Sequence, residues 1–184
     1  MRSIATHLRH WLGADDAGVA YMPAATRGYR LDERIVPDVD LIDAAVAGAG
    51  INTAETATLV AILKLGRGRV FAGVPDSELR QFRASMYHVE ARIVDAALQV
   101  TDRALEAGDL GLARWALTQG LLVSPDHEDL VAGCLRTEYQ AGNMDKVSEL
   151  VDHLSATARR LGVDLNEDTT RIIDTVTHAD RRAS

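Results

Sequence analysis

Apolar residues recur at intervals of three and four along most of this chain, and that spacing predicts helices. Ile4, Leu8 and Leu12 form one stripe with Trp11 beside it, which predicts a helix over residues 2–12 stopped by Gly13. Two short segments of different character follow. Val19-Ala20-Tyr21-Met22 and Gly28-Tyr29-Arg30-Leu31 read as the strands of a β-hairpin with its tip at Pro23 to Arg27. From Val36 onward the helical period takes over. Asp38 or Asp40 can cap a helix over 41–47, ended by Gly48 and Gly50, and Thr53 can cap the next. The expected buried side of that next helix is Ala57, Val60, Ala61 and Leu65. The longest periodic run is Leu79, Phe82, Met86, Val89, Ile93, Ala96, Val100 and Ala104. It predicts one continuous helix from Asp76 to Ala107, about 45 Å long. Further helices are expected over 110–123, from Asp126 or His127 to Gln140, over 145–161 before Gly162, and from Asn166 through Val176.

The second half also repeats itself. Ala107-Gly108-Asp109-Leu110 recurs as Ala141-Gly142-Asn143-Met144, an offset of 34 residues and the tetratricopeptide period. Gly108, Ala113, Gly120 and Pro125 fit that pattern: small residues let two antiparallel helices approach closely, and the proline ends the second. The later copy keeps the turn at Gly142 but has Val147, Leu154 and Arg159 at the other places. The predicted fold class is therefore all-α, tetratricopeptide-like helical hairpins with a short N-terminal β-hairpin.

Composition supports the helical reading. Only 4% of the 184 residues are aromatic, so the core must come from alanine, leucine and valine, which suits close-packed helices. A net charge of −7 is the opposite of the basic footprint of a free-standing nucleic-acid binder. The bias toward arginine and alanine reflects GC-rich codon supply more than arginine chemistry. No apolar run is long enough for a membrane span, and the first residues are too polar for a secretory signal. The single cysteine, Cys134, excludes an internal disulfide and a cysteine-rich zinc site. A cytoplasmic protein without a cofactor is expected.

Candidate chemistry is sparse. His7 and His10 are spaced for one helical turn, but no carboxylate or cysteine nearby completes a metal set. Gly66-Arg67-Gly68-Arg69 lacks the Lys-Ser/Thr of a phosphate loop and reads as a turn, with two arginines available to acidic groups of the same protein. Cys134 sits mid-helix beside Val131 and Leu135 with no histidine placed to activate it, as expected of a buried structural thiol. No Ser–His–Asp order or paired acid/base motif stands out, so no catalytic, cofactor or metal residues are expected and the protein is not expected to be an enzyme. Arg2, Thr6, His7 and Arg9 lie on the first helix and could meet DNA.

The order of parts sharpens this. Ser3 to Gly13, containing Leu8-Arg9-His10-Trp11-Leu12-Gly13, followed by a hairpin closing on Gly28-Tyr29-Arg30-Leu31, resembles the second half of an OmpR-type winged helix. That resemblance implies a partial winged helix over residues 1–35, with Arg2, Thr6, His7 and Arg9 on the recognition helix and Arg27 on the wing as DNA-contacting residues. The rest, 36–184, resembles the bacterial transcriptional activator domain of SARP-like actinobacterial regulators. The matching stretches are Leu63-x-Leu65-x-Arg67-Gly68-Arg69-x-Phe71-Ala72-Gly73-Val74-Pro75, Glu90 to Ala97, Ala107-Gly108-Asp109 with Arg114-Trp115-Ala116, Gly120 to Pro125, and Leu161 to Asp164. The family's winged helix has upstream strands and helices that this sequence does not contain. DNA contact is therefore expected only if they are supplied, since residues 1–35 carry a net charge of only +1, five arginines against Asp15, Asp16, Asp32 and Glu33. The resemblance implies an interaction or oligomerisation module of a transcriptional regulator, with a protein partner or self-association through its helices and no membrane contact. The alternative is a C-terminal cytoplasmic interaction module of a larger envelope or signalling protein, with no DNA binding of its own.

Overall fold

The computed structural model describes residues 2–25, 28–48 and 50–183. They form nine α-helices and no strand, in two compact units, 1–41 and 42–184.

In the first unit, α1 (Arg2–Leu12) ends where expected, the Gly13 N–H donating to the Arg9 carbonyl at 3.0 Å and Gly13 turning left-handed. The expected β-hairpin does not form among the described residues, and Thr26 and Arg27 of its tip lie outside them. An isolated antiparallel bridge, Ala14 to Ala20, takes its place. The cause is local competition for backbone donors. The Asp15 carboxylate accepts the N–H groups of Ala17 and Val19 (3.0 and 2.8 Å), curling the segment that was to be the first strand. Among the described residues, the Asp32 N–H, just past the second segment, donates to the Tyr21 carbonyl of the first at 2.9 Å. Arg34 fastens the loop by pairing with both Asp15 and Asp32 while its guanidinium lies 4.9 Å from the Tyr21 ring centroid.

In the second unit, α2 (Asp38–Val46), which begins in the first, buries Ile42 and Val46. It starts a turn earlier than expected, with Asp38 and Asp40 in its first turn, where carboxylates complement the helix dipole. The following helix, α3 (Thr56–Leu65), buries Leu59, Ile62 and Leu63, leaving Ala57 and Ala61 exposed. Its residues are apolar nearly all round, and the larger side chains win the interior. Arg103 locks the loop before it, donating to the carbonyls of Asn52 (2.9 Å) and Ala54 (2.7 Å) and to Thr56 Oγ1 (3.2 Å).

The single rod expected over 76–107 is broken. Asp76–Leu79 forms a short α4, Arg80–Phe82 a 3₁₀ turn, and α5 spans Arg83–Glu106, about 36 Å. No glycine or proline lies at the break. The tightened turn points Phe82 outward to the ring of Phe71 instead of into the seam. Of the rest of the seam, Leu79, Ile93, Ala96, Val100 and Ala104 are buried, joined by Val94, Ala97 and Thr101, while Met86 and Val89 are half-buried.

Next come α6 (Leu110–Val123), α7 (Glu128–Gln140), α8 (Met144–Leu161) and α9 (Glu167–Ala183). Asp109 caps α6 by accepting the Leu112 N–H at 2.9 Å. Asn166 does the same for α9 through the Thr169 N–H at 2.7 Å. The two turns 34 residues apart are built alike. The N–H groups of Ala107 and Ala141 donate back to the Arg103 and Thr137 carbonyls, both at 3.0 Å. Asp109 and Asn143 donate to Ala104 and Glu138 at 2.8 and 2.9 Å. Gly108 and Gly142 take φ of 73° and 72°, the left-handed geometry that makes glycine the suitable residue at both places.

Small residues set the helix spacing. A Cβ on Gly120 would lie 2.9 Å from Ala97 Cβ of α5 and 3.0 Å from both methyls of Leu130 on α7. One on Gly133 would lie 2.7 Å from Leu117 Cδ2. Two apolar clusters result. The larger joins α2, α3, α5 and α6 with Leu130 of α7, and the smaller joins Val131 and Leu135 of α7 with Val147, Leu154 and Val176.

Candidate partner-binding groove

Helices α5, α7 and α9 enclose a groove of about 790 Å³. Its walls follow from helical spacing: Asp102, Leu105 and Glu106 on α5, Arg136, Tyr139 and Gln140 on α7, and Arg171, Ile172 and Val176 on α9. Each α7 member stands 34 residues after its α5 counterpart, so equivalent positions of the two copies face the same space. Arg136 Nη2 donates to Asp102 Oδ1 at 2.7 Å across the groove, and Gln140 Nε2 donates to the Leu105 carbonyl at 3.1 Å. On α9, Arg171 Nη1 donates to Asp168 Oδ1 at 2.7 Å. Each guanidinium keeps further N–H donors beyond these bonds. The arrangement offers an apolar strip between paired charges, a surface that can hold an extended or helical polypeptide and exchange its own ion pairs for those of a ligand.

A recess of about 410 Å³ opens beside the groove, sharing Asp102, Arg136, Arg171 and Ile172 and adding Asp129 and Thr169. Thr169 is 1% exposed, yet its Oγ1 has no partner among the described residues. Helical threonines elsewhere in the chain, Thr101, Thr137 and Thr175 among them, donate to the carbonyl four residues back. Thr169 makes no such bond, although its neighbour Thr170, in the same first turn, donates to the Asn166 carbonyl at 3.0 Å.

Of the residues expected to meet DNA, Thr6, His7 and Arg9 have described side chains, all on α1. Thr6 and His7 are exposed on α1. Arg9 is half-buried, its Nε donating to the Met22 carbonyl at 2.9 Å. The Arg2 side chain and the whole of Arg27 lie outside what is described. The apolar stripe expected on α1 is only partly covered, with Trp11 80% exposed. Among the described residues no three His, Cys, Asp or Glu side chains converge on a metal position.

Two perturbed groups flank the repeat. Arg114 grips Glu138 through two bonds, Nε to Oε1 at 2.7 Å and Nη2 to Oε2 at 2.9 Å, and Asn143 adds a third. These donors, Arg114 above all, hold the Glu138 carboxyl below its ordinary range. The half-buried Cys134 thiol is pushed up to about 11, first by desolvation and then by the Glu138 charge.

Compared with protein-family models, with curated proteins and with solved structures, the chain matches none. No helix among the described residues is long and apolar enough to cross a membrane.

Proposed function

We propose that the helical part of the chain is a tetratricopeptide-like interaction module of the bacterial transcriptional activator type, working in a transcriptional regulator by binding a protein partner or a second copy of itself. The observation that carries this reading is the groove itself, whose α5 and α7 walls are equivalent positions of a 34-residue repeat. Stacked helical pairs leave one face of each pair uncovered, and those faces align into a shared binding surface. The groove holds no nucleophile–base pair, which favours binding over catalysis. Direct DNA binding by the chain alone draws less support, since Arg9 is engaged by Met22 and the chain is acidic.

A tethering assay tests the proposal. The full chain is fused to an unrelated DNA-binding domain whose operator sits upstream of a reporter promoter. A module that recruits a regulatory partner changes reporter output several-fold. The Arg136→Glu/Arg171→Glu double variant, made with its thermal melt retained, should lose that change. An unaltered chain that leaves the reporter at baseline would defeat the regulatory reading.

A further inference from the structure

The segment from Lys64 to Arg83 departs from the charge of the rest of the molecule. It carries five cationic side chains against two carboxylates, a local +3 in a chain of −7. The Phe71–Phe82 contact, with centroids 5.4 Å apart and planes tilted by 39°, draws its two ends together. It joins the loop that carries Arg69 to the helical stretch that carries Arg80 and Arg83, with Tyr87 one helical turn beyond Arg83. Arg69, Arg80 and Arg83 are exposed and form no ion pair among the described residues, with Glu78 or with any other carboxylate. The intramolecular pairing expected for the arginines of this turn does not occur at Arg69.

The aromatic residues are exposed as well: Phe71 42%, Phe82 41% and Tyr87 64%. Phe71 is also the non-glycine residue of the described chain with a positive φ, 56°. A bulky side chain in the left-handed region is strained, and a fold keeps such strain where it positions something useful. Here the strain accompanies an aromatic ring held 42% exposed on the segment that carries these arginines.

We propose that this face docks an acidic segment of a partner protein, with carboxylates flanking at least one large apolar side chain. The exposed rings receive the apolar anchor and Arg69, Arg80 and Arg83 receive the carboxylates, a pairing of aromatic and arginine contacts typical of interface hot spots. A protein ligand fits better than a nucleic acid. The two phenylalanine rings are tilted into each other instead of standing as parallel platforms for stacked bases. The surface shares no residue with the groove of α5, α7 and α9, so it adds a second contact beyond the one proposed above.

The test is fluorescence anisotropy of the full chain with a fluorescein-labelled peptide of about a dozen residues, rich in Glu and carrying Leu and Phe. The same peptide with Lys in place of Glu, a single-stranded oligothymidine and a DNA duplex serve as comparisons. The acidic peptide should bind at least about ten-fold more tightly than its lysine counterpart. Arg80→Glu/Arg83→Glu should weaken it by about ten-fold or more and flatten its salt dependence. Phe71→Ala should weaken it while leaving the salt dependence in place, and Arg136→Glu/Arg171→Glu should leave it unchanged. Equal binding of the acidic and lysine peptides overturns the proposal, as does equal binding by the Arg80/Arg83 variant when its thermal melt matches the parent. Loss of binding in the Arg136/Arg171 variant would place the peptide in the groove instead. Tighter binding of either DNA, lost in the Arg80/Arg83 variant, would make the surface a nucleic-acid site.

Discussion

Replacing Gly120 with alanine adds a single methyl group, and the structure fixes what that methyl would meet. Its nearest neighbours are Ala97 Cβ at 2.9 Å and two Leu130 methyls at 3.0 Å, where apolar carbons settle at about 3.5–4.0 Å. Leu130 can turn its methyls away. Ala97 Cβ is fixed to the α5 backbone, so relief there requires α5 and α6 to move apart by about half an ångström or more. Overpacking of this kind costs about 1–3 kcal/mol, while alanine gains about 1 kcal/mol over glycine inside a helix. The expected net effect runs from neutral to a loss of about 2 kcal/mol. Gly111 provides the control within the same helix. Its added methyl would meet only Asp109 Oδ1, at an ordinary 3.4 Å, so Gly111→Ala should be neutral or stabilising by up to about 1 kcal/mol. At about 2–4 °C per kcal/mol for a chain of this size, Gly120→Ala should melt below Gly111→Ala by several degrees. If Gly120→Ala melts at or above Gly111→Ala, α5 and α6 do not approach as described, and the repeat register falls with them.

Ala113→Leu, at a fully buried position one face-repeat before Gly120, should cost about 1–3 kcal/mol in a urea melt. Glu138 titrates below its ordinary value of 4.5, so its contribution is complete above that pH and fades as pH falls through the lower folded-state value. Glu138→Gln should therefore be less stable than the parent near neutrality, with the gap closing in melts as pH falls below 4.5. With its thiol near 11, Cys134 should react with a disulfide reagent at pH 8 about a hundred-fold more slowly than a free thiol. Reaction at the free-thiol rate would mean that α7 opens readily.

Much of the helical frame is legible in the sequence because its punctuation is unambiguous: Gly13, Gly108, Gly142 and Gly162 each stop a helix in the left-handed conformation. What fails is informative. In α3 the run Thr56 to Leu65 is apolar on several sides, so periodicity alone cannot say whether Ala57 and Ala61 or Leu59 and Ile62 face inward. At Arg80–Phe82 the helix tightens without a breaker, because Phe82 finds Phe71 across a loop, a long-range contact invisible to local pattern. The apolar segment Val19 to Met22 reads as a strand, yet Asp15 takes the Val19 N–H at its start. The groove lay within reach. Extending the 34-residue offset backward from Gly108 and Gly142 pairs Asp102 with Arg136 and Leu105 with Tyr139, which the structure places on one surface. The unpartnered hydroxyl of Thr169 had no such signal, since Thr170 beside it makes the ordinary bond to the carbonyl four residues back.

Helix α7 stands between the two apolar clusters, giving Leu130 to one and Val131 and Leu135 to the other. A partition of this kind lets the chain open in stages. Release of α8 and α9 would uncover Val131 and Leu135 while Ala97, Leu117 and Leu130 remain packed. Amide hydrogens in the last two helices should then exchange with solvent through a smaller opening than those of α5 and α6. Because α9 forms one wall of the groove, a ligand bound there would hold that door shut, and slower exchange in α8 and α9 would register occupancy even where no side chain touches the ligand.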